Sequence, residues 1–178
     1  SSRFSPRNIQ VADALNERGM ATFLFDLLTA DEEGDRRNVF DIPLLADRVV
    51  TAVNGLDREC ETGALHLGLF GASTGAAAAL AAAARINDRV EAVVSRGGRP
   101  DLAMDSLPKV RAATLLIVGG ADTAVLEMNE KAFRLLREPK ELRVIPGATH
   151  LFPEPGALEA VTNYAAQWFE RYLGAQAD

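Results

Sequence analysis

Residues 65–84 read LHLGLFGASTGAAAALAAAA. An apolar run, Leu65 to Phe70, meets Gly71-Ala72-Ser73-Thr74-Gly75, and a run of alanines follows at once. The pattern predicts a strand, a sharp turn bearing one hydroxyl, and a helix. In a G-x-S-x-G turn the serine sits in a strained conformation between strand and helix. Small flanking residues let neighbouring backbone approach without a clash. The serine Oγ then projects above the sheet. The helix N-terminus behind it offers unpaired N–H groups and positive potential to a developing oxyanion. Ser73 is therefore the candidate nucleophile. The backbone N–H of Thr74 is the candidate oxyanion donor, a group whose loss typically costs roughly 3 kcal/mol in the barrier.

Outward from this stretch the chain alternates. Ser5 and Pro6 open a helix that carries Ile9, Ala12 and Leu15 and stops at Gly19. Ala21–Asp26 (ATFLFD) has the length and composition of a strand. The polar stretch 27–38 reads as an exposed loop, and Asp41 caps a helix with a stripe of Leu45, Val49, Val53 and Leu56. Beyond the opening stretch, Glu91–Ser95, Ala113–Val118 and Lys140–Ile145 are further strands. A short helical piece is expected near 102–107. A helix bearing Leu126, Phe133 and Leu136 precedes the last strand. The final helix carries Leu158, Val161, Ala165, Trp168 and Tyr172 at intervals of three and four.

Strand and helix thus repeat five times. The implied fold class is α/β: a mostly parallel sheet with helices on both faces, forming one domain over residues 1–178. Near-continuous apolar strands suit a sheet covered on both sides. Ligands bind such sheets beyond the carboxyl ends of the strands.

Composition narrows the classes. The chain has 178 residues, 48% of them hydrophobic, and a formal charge of −6. That balance disfavours a nucleic-acid backbone or an anionic membrane as partner. No apolar run approaches the roughly 20 residues of a membrane helix, and a cytoplasmic location is expected. One cysteine, Cys60, excludes an internal disulfide, and with two histidines a His/Cys zinc site is not expected. Glu59 and Glu61 flank Cys60 and disfavour a thiolate there. Neither metal nor cofactor is expected; the partner is a small acyl substrate, and a homo-oligomer is possible.

A serine, an aspartate and a histidine follow three of the strands: Ser73, Asp122 and His150. Acyl transfer needs all three types. A hydroxyl is a poor nucleophile until a base takes its proton, and neutral imidazole is a suitable base near pH 7. A carboxylate fixes the imidazole tautomer and stabilises the imidazolium. Asp101 competes with Asp122 as the acid. His66 lies at the far end of its strand from Ser73, where a structural role is expected. Arg96 and Arg99 flank two glycines after a strand. They are candidates for binding a substrate anion, or for surface ion pairs.

Taken together, GASTG at Gly71–Gly75, LLIVGGAD at Leu115–Asp122 and PGATHLF at Pro146–Phe152 resemble the α/β-hydrolase superfamily. The nearest likeness is to its small dienelactone-hydrolase-like members. SPRN (Ser5–Asn8) and VSRGGRP (Val94–Pro100) look like a subgroup of hydrolases sometimes joined to phosphoribosyltransferase domains. The resemblance implies a serine hydrolase acting on an ester, thioester or related acyl bond through an acyl-enzyme. Dienelactone hydrolases proper use a cysteine where this chain has Ser73. The resemblance also implies three strands ahead of the first helix, with a second oxyanion donor in the loop after the third. The chain is accordingly expected to be an N-terminally truncated fragment, with a gap beside the nucleophile strand unless another segment fills it or the flanking strands close up. The alternative is a non-catalytic module of the same fold that binds a ligand or a protein. No insertion is long enough for a large lid, so a shallow site and small substrates are expected.

Overall fold

The computed structural model describes residues 2–59 and 62–174. Cys60 lies outside the described residues. Four strands, β1 (Leu67–Ala72), β2 (Val90–Arg96), β3 (Ala113–Gly119) and β4 (Lys140–Ile145), form one sheet in the order β1-β2-β3-β4. Every neighbouring pair is parallel. Helices α1 (Pro6–Asn16) and α7 (Ala157–Leu173) cover one face. Helices α5 (Thr74–Arg85) and α6 (Thr123–Leu135) cover the other, and α4 (Ile42–Leu56) packs on the outside of α5.

Strand parity explains the two layers. Val94, Leu115 and Ile117 point to the α1/α7 side, while Val93 and Leu116 point to the α5/α6 side. Ala76, Ala77 and Ala78 are wholly buried, so α5 is sandwiched between the sheet and α4. Alanine suits this place because it fills little space and is the best helix former. The Asp41 side chain caps α4 by accepting from the Leu44 N–H at 3.0 Å. Trp168 anchors α7 to the sheet, its indole N–H donating to the Ala113 carbonyl at 3.0 Å. Among the described residues no helix is long and apolar enough to cross a membrane.

Three expectations need correction. Ala21–Asp26 is not a strand: it joins no ladder, and the described sheet has four strands rather than five. A strand exists only with a partner. The nearest sheet edge, β1, lies across a cleft of about 950 Å³ lined by Phe23, Phe25, Leu67 and Leu69. Phe23 and Phe25 stack on each other at 5.4 Å instead. The described segments neither close this gap nor fill it, and β1 is an edge strand. Second, the strand expected at Leu65–Phe70 is shifted by two residues and ends at Ala72, directly before Ser73. Third, the stretch 27–38 is not wholly a loop. It folds into α2 (Ala30–Glu33) and α3 (Arg36–Val39). A capping box starts α2, with the Thr29 hydroxyl accepting from Glu32 N–H and the Glu32 carboxylate accepting from Thr29 N–H.

Candidate active site

Ser73 sits between β1 and α5 with φ +52° and ψ −125°. A non-glycine residue in that region stores about 1–3 kcal/mol of strain and persists only where the surroundings over-determine it. Here they do. Gly71 packs against the first turn of α5 so closely that a Cβ would lie 2.5 Å from the Gly75 carbonyl oxygen and 2.6 Å from Ala76 Cα. That contact pins the helix start to the strand end, and the chain must turn sharply through Ser73. Thr74 is the first residue of α5, so its N–H has no carbonyl within the helix to bind and remains free at the serine.

The candidate acid and the candidate base follow β3 and β4. Asp122 follows β3 and occupies the N-cap position of α6, yet its side chain makes no cap hydrogen bond. Its Oδ2 lies 2.7 Å from His150 Nδ1. An ionised carboxylate only accepts, so Nδ1 carries the proton and donates, which leaves Nε2 as the acceptor. The Asp122 carboxylate is largely buried and the imidazole half-exposed. Gly119 permits this meeting: a Cβ there would lie 2.3 Å from the Ala148 carbonyl, so the 147–149 loop can pass directly over the end of β3. Ala121 N–H donates to that same carbonyl at 2.9 Å and ties the two loops together.

Glu154 finishes the histidine loop. Its Oε1 accepts from the Thr149 hydroxyl at 2.6 Å and from the Thr149 N–H at 3.0 Å. The hydroxyl, foremost, holds the Glu154 carboxyl below its ordinary range. A depressed carboxyl stabilises the folded loop above the usual glutamate pKa and loses that contribution as pH falls through the folded value.

The loop after β2 touches both the candidate base and the candidate nucleophile. The His150 backbone and ring lie against Gly97, 3.2 Å and 3.6 Å from where a Cβ would stand. Two residues on, Arg99 N–H donates to the Ser73 carbonyl at 3.1 Å. All three candidates are therefore brought to one end of the sheet. The Asp122–His150 bond is formed; Ser73 Oγ makes no hydrogen bond among the described residues. The other candidates separate. Asp101 is engaged by Arg99 in a two-bond pair at 2.9 and 2.8 Å, which takes it from His150 and makes Arg99 an ion-pair residue. His66 pairs with Glu91 at 2.7 Å, at the opposite end of β1 from Ser73. Arg3 holds Asp26 through its backbone N–H at 2.6 Å and through its guanidinium.

Arg96 differs from Arg99. It is only 5% exposed, and among the described residues it has no carboxylate within ion-pair distance. Burial, then the neighbouring Arg7 guanidinium, pushes its pKa down to about 10. It remains charged at neutral pH.

Asn129 is a residue the sequence reading missed. It is fully buried on α6, and its amide donates to the carbonyls of Gly98 at 3.0 Å and Val125 at 2.8 Å. It therefore holds the glycine loop beneath His150. A signal was present, because position 129 falls between Leu126 and Phe133 on the stripe expected to be apolar. Asn129→Ala is expected to cost about 1–3 kcal/mol, read as a lower urea midpoint, because the Gly98 carbonyl loses its donor.

Comparison with known proteins accords with this geometry. The chain is 55% identical to a structure of dienelactone hydrolase from Anabaena variabilis, with a TM-score of 0.92 over 97% of this chain and 82% of that one. It is 56% identical over 173 residues to a Mycobacterium tuberculosis (H37Rv) protein provisionally named a phosphoribosyl transferase. That match takes in 97% of this chain but only 39% of the relative's length. Est1E from Butyrivibrio proteoclasticus shares the fold at 17% identity, with a TM-score of 0.81 over 96% of this chain and 83% of that one. The profile of the dienelactone hydrolase family matches residues 6–174, and with this sheet, this elbow and these strand-end residues the chain belongs to that family and has the α/β-hydrolase fold.

Proposed function

We propose that the chain is a serine hydrolase that cleaves an ester, thioester or related acyl bond of a small substrate. The observation that carries this reading is the Asp122–His150 hydrogen bond of 2.7 Å at the end of the sheet where Ser73 is held in a strained turn. In the first half-reaction Ser73 Oγ attacks the acyl carbon while its proton passes to His150 Nε2. The carbonyl π electrons move onto the oxygen, and the Thr74 N–H stabilises that negative charge. Asp122 stabilises the imidazolium. The tetrahedral intermediate collapses, the bond to the leaving oxygen or sulfur breaks, and the imidazolium proton goes to the leaving group. Water then attacks the acyl-serine by the same path, His150 taking its proton and returning one to Ser73 Oγ. The serine hydroxyl reaches Nε2 as substrate binds, since catalytic hydrogen bonds are often open in unliganded enzymes.

The test is covalent labelling. A fluorophosphonate probe should add one adduct, mapped by mass spectrometry to Ser73 and lacking in Ser73→Ala. A folded protein that stays unlabelled, while a known serine hydrolase labels alongside, would return the chain to the ligand- or protein-binding reading.

A further inference from the structure

β4 ends the described sheet and pairs only with β3. Thr114 N–H donates to the Pro139 carbonyl at 3.0 Å, and Gly120 N–H to the Ile145 carbonyl at 2.8 Å. Odd-numbered residues of β4 therefore turn their backbone groups to β3. By the alternation of a parallel ladder, Lys140, Leu142 and Val144 turn theirs outward. The N–H and C=O groups of Leu142 and Val144 have no partner among the described residues. An open edge of this kind is a template for another strand unless it is guarded, commonly by a lysine. Lys140 does not guard it. Its Nζ folds back onto the end of α6 and donates to the Phe133 and Leu136 carbonyls at 2.9 Å each.

The side chains along this edge select its partner. Glu141 and Arg143 form an ion pair on the α7 face, where the Arg143 guanidinium lies 5.2 Å from the centre of the Tyr164 ring. Leu142 points to the opposite face, against the α6 layer. Set beside a second β4 running antiparallel, with Leu142 on the two-fold axis, the strand is complementary to itself. Glu141 stands opposite the partner's Arg143, and Arg143 opposite the partner's Glu141. The same register matches the outward backbone groups. Leu142 N–H meets the partner's Leu142 carbonyl and Val144 N–H the partner's Lys140 carbonyl, each bond formed twice. A slip of one residue sets outward groups against inward ones. A slip of two sets Arg143 against Arg143 or Glu141 against Glu141, and like charges directly opposite destabilise a pair of strands.

We infer that β4 is a self-association edge, through which two copies of this chain join antiparallel into one continuous sheet. Backbone hydrogen bonds and the reciprocal Glu141–Arg143 pairs hold them together. The axis stands perpendicular to the sheet, so α7 of each copy lies on the same face. Tyr164, Gln167 and Arg171, which border the groove beside Glu141 and Arg143, extend the contact on that face. The two Ser73 elbows lie at opposite ends of the joined sheet, and the inference does not depend on the hydrolase reading.

Sedimentation velocity from about 1 to 100 µM should show monomer giving way to dimer. Arg143→Glu sets carboxylate opposite carboxylate, and Glu141→Arg sets guanidinium opposite guanidinium. Each alone should raise the dimer dissociation constant by about tenfold or more. Mixed in equal amounts, the two variants bring opposite charges together across the axis and should sediment as a dimer again. The ion pair within each strand stays broken in that mixture, so recovery reads the contact between copies alone. Circular dichroism checks that both variants are folded. Amide hydrogen exchange at Leu142 and Val144 should slow as the native protein is concentrated. A native protein that stays monomeric throughout the range overturns the proposal. So does a dimer that neither substitution weakens, a mixture that does not recover, or a dimer whose Leu142 and Val144 amides exchange no slower than in the monomer.

Discussion

Asp122→Asn is expected to lower kcat/KM for a neutral ester by about 10⁴-fold, with the thermal midpoint within a few degrees of the native protein. The two halves of that expectation come from one observation. Asp122 stands where an aspartate would ordinarily cap a helix, but its carboxylate is turned to His150 Nδ1 and does not cap α6. Removing its charge therefore forfeits no cap, whose loss would cost about 1 kcal/mol. It does remove the partner that requires Nδ1 to carry the proton. An asparagine can present its NH₂ to Nδ1, which favours the tautomer protonated on Nε2, and that nitrogen then cannot accept the Ser73 proton. Steady-state hydrolysis of 4-nitrophenyl butyrate and a thermal melt decide it. Activity within tenfold of native in a folded variant would remove Asp122 from the role of orienting acid. Asp101 is poorly placed to replace it, because both its oxygens are held by Arg99.

Gly71→Ala should destabilise the protein by about 3 kcal/mol and abolish labelling of Ser73, whereas Gly75→Ala should leave the fold intact. The two glycines are equivalent in the G-x-S-x-G pattern and unequal in space. Three backbone atoms of α5, from Gly75 and Ala76, lie within 2.7 Å of a Cβ at Gly71, and none is the movable end of a side chain. Relief requires the strand and the helix to separate, and the strained Ser73 conformation depends on their contact. A Cβ at Gly75 meets nothing within 4 Å. Alanine there sits in the first turn of a helix and should stabilise by about 0.5–1 kcal/mol. Urea unfolding of both variants separates the cases. Equal midpoints would mean that the Gly71 contact is not what holds the elbow.

Much of this site was legible along the chain because its signals are local. The strands β2 and β3 appear as near-continuous apolar runs because both faces of the sheet are covered there, whereas β4, at the end of the described sheet, is partly exposed and carries Lys140, Glu141 and Arg143. The turn at Ser73 and the residues Asp122 and His150 stand out because each comes shortly after the end of a strand. Strand ends in a parallel sheet fall on one side without further information. The α2 start was also written locally, in Thr29 and Glu32, but a four-residue helix leaves no periodicity to see.

What escaped the sequence reading was relational. Ala21–Asp26 has the composition of a strand, yet strand status depends on a neighbouring backbone, and here the neighbour is a cleft. Arg96 and Arg99 share almost the same surroundings in sequence. The first is the last residue of β2, and its parity sends its side chain under α1, where Asn8 accepts from it. The second lies beyond the strand and reaches Asp101. Periodicity and turn chemistry alone determined the α/β class, the sharp turn at Ser73 and the places of Asp122 and His150 after later strands, since these follow from local conformational preference. Tertiary structure alone decided that Asp122 forgoes its helix for His150, that Gly71 and not Gly75 is sterically fixed, and which arginine is buried without an acid. Those outcomes depend on which distant backbone comes within a few ångströms, and a linear pattern does not carry that distance.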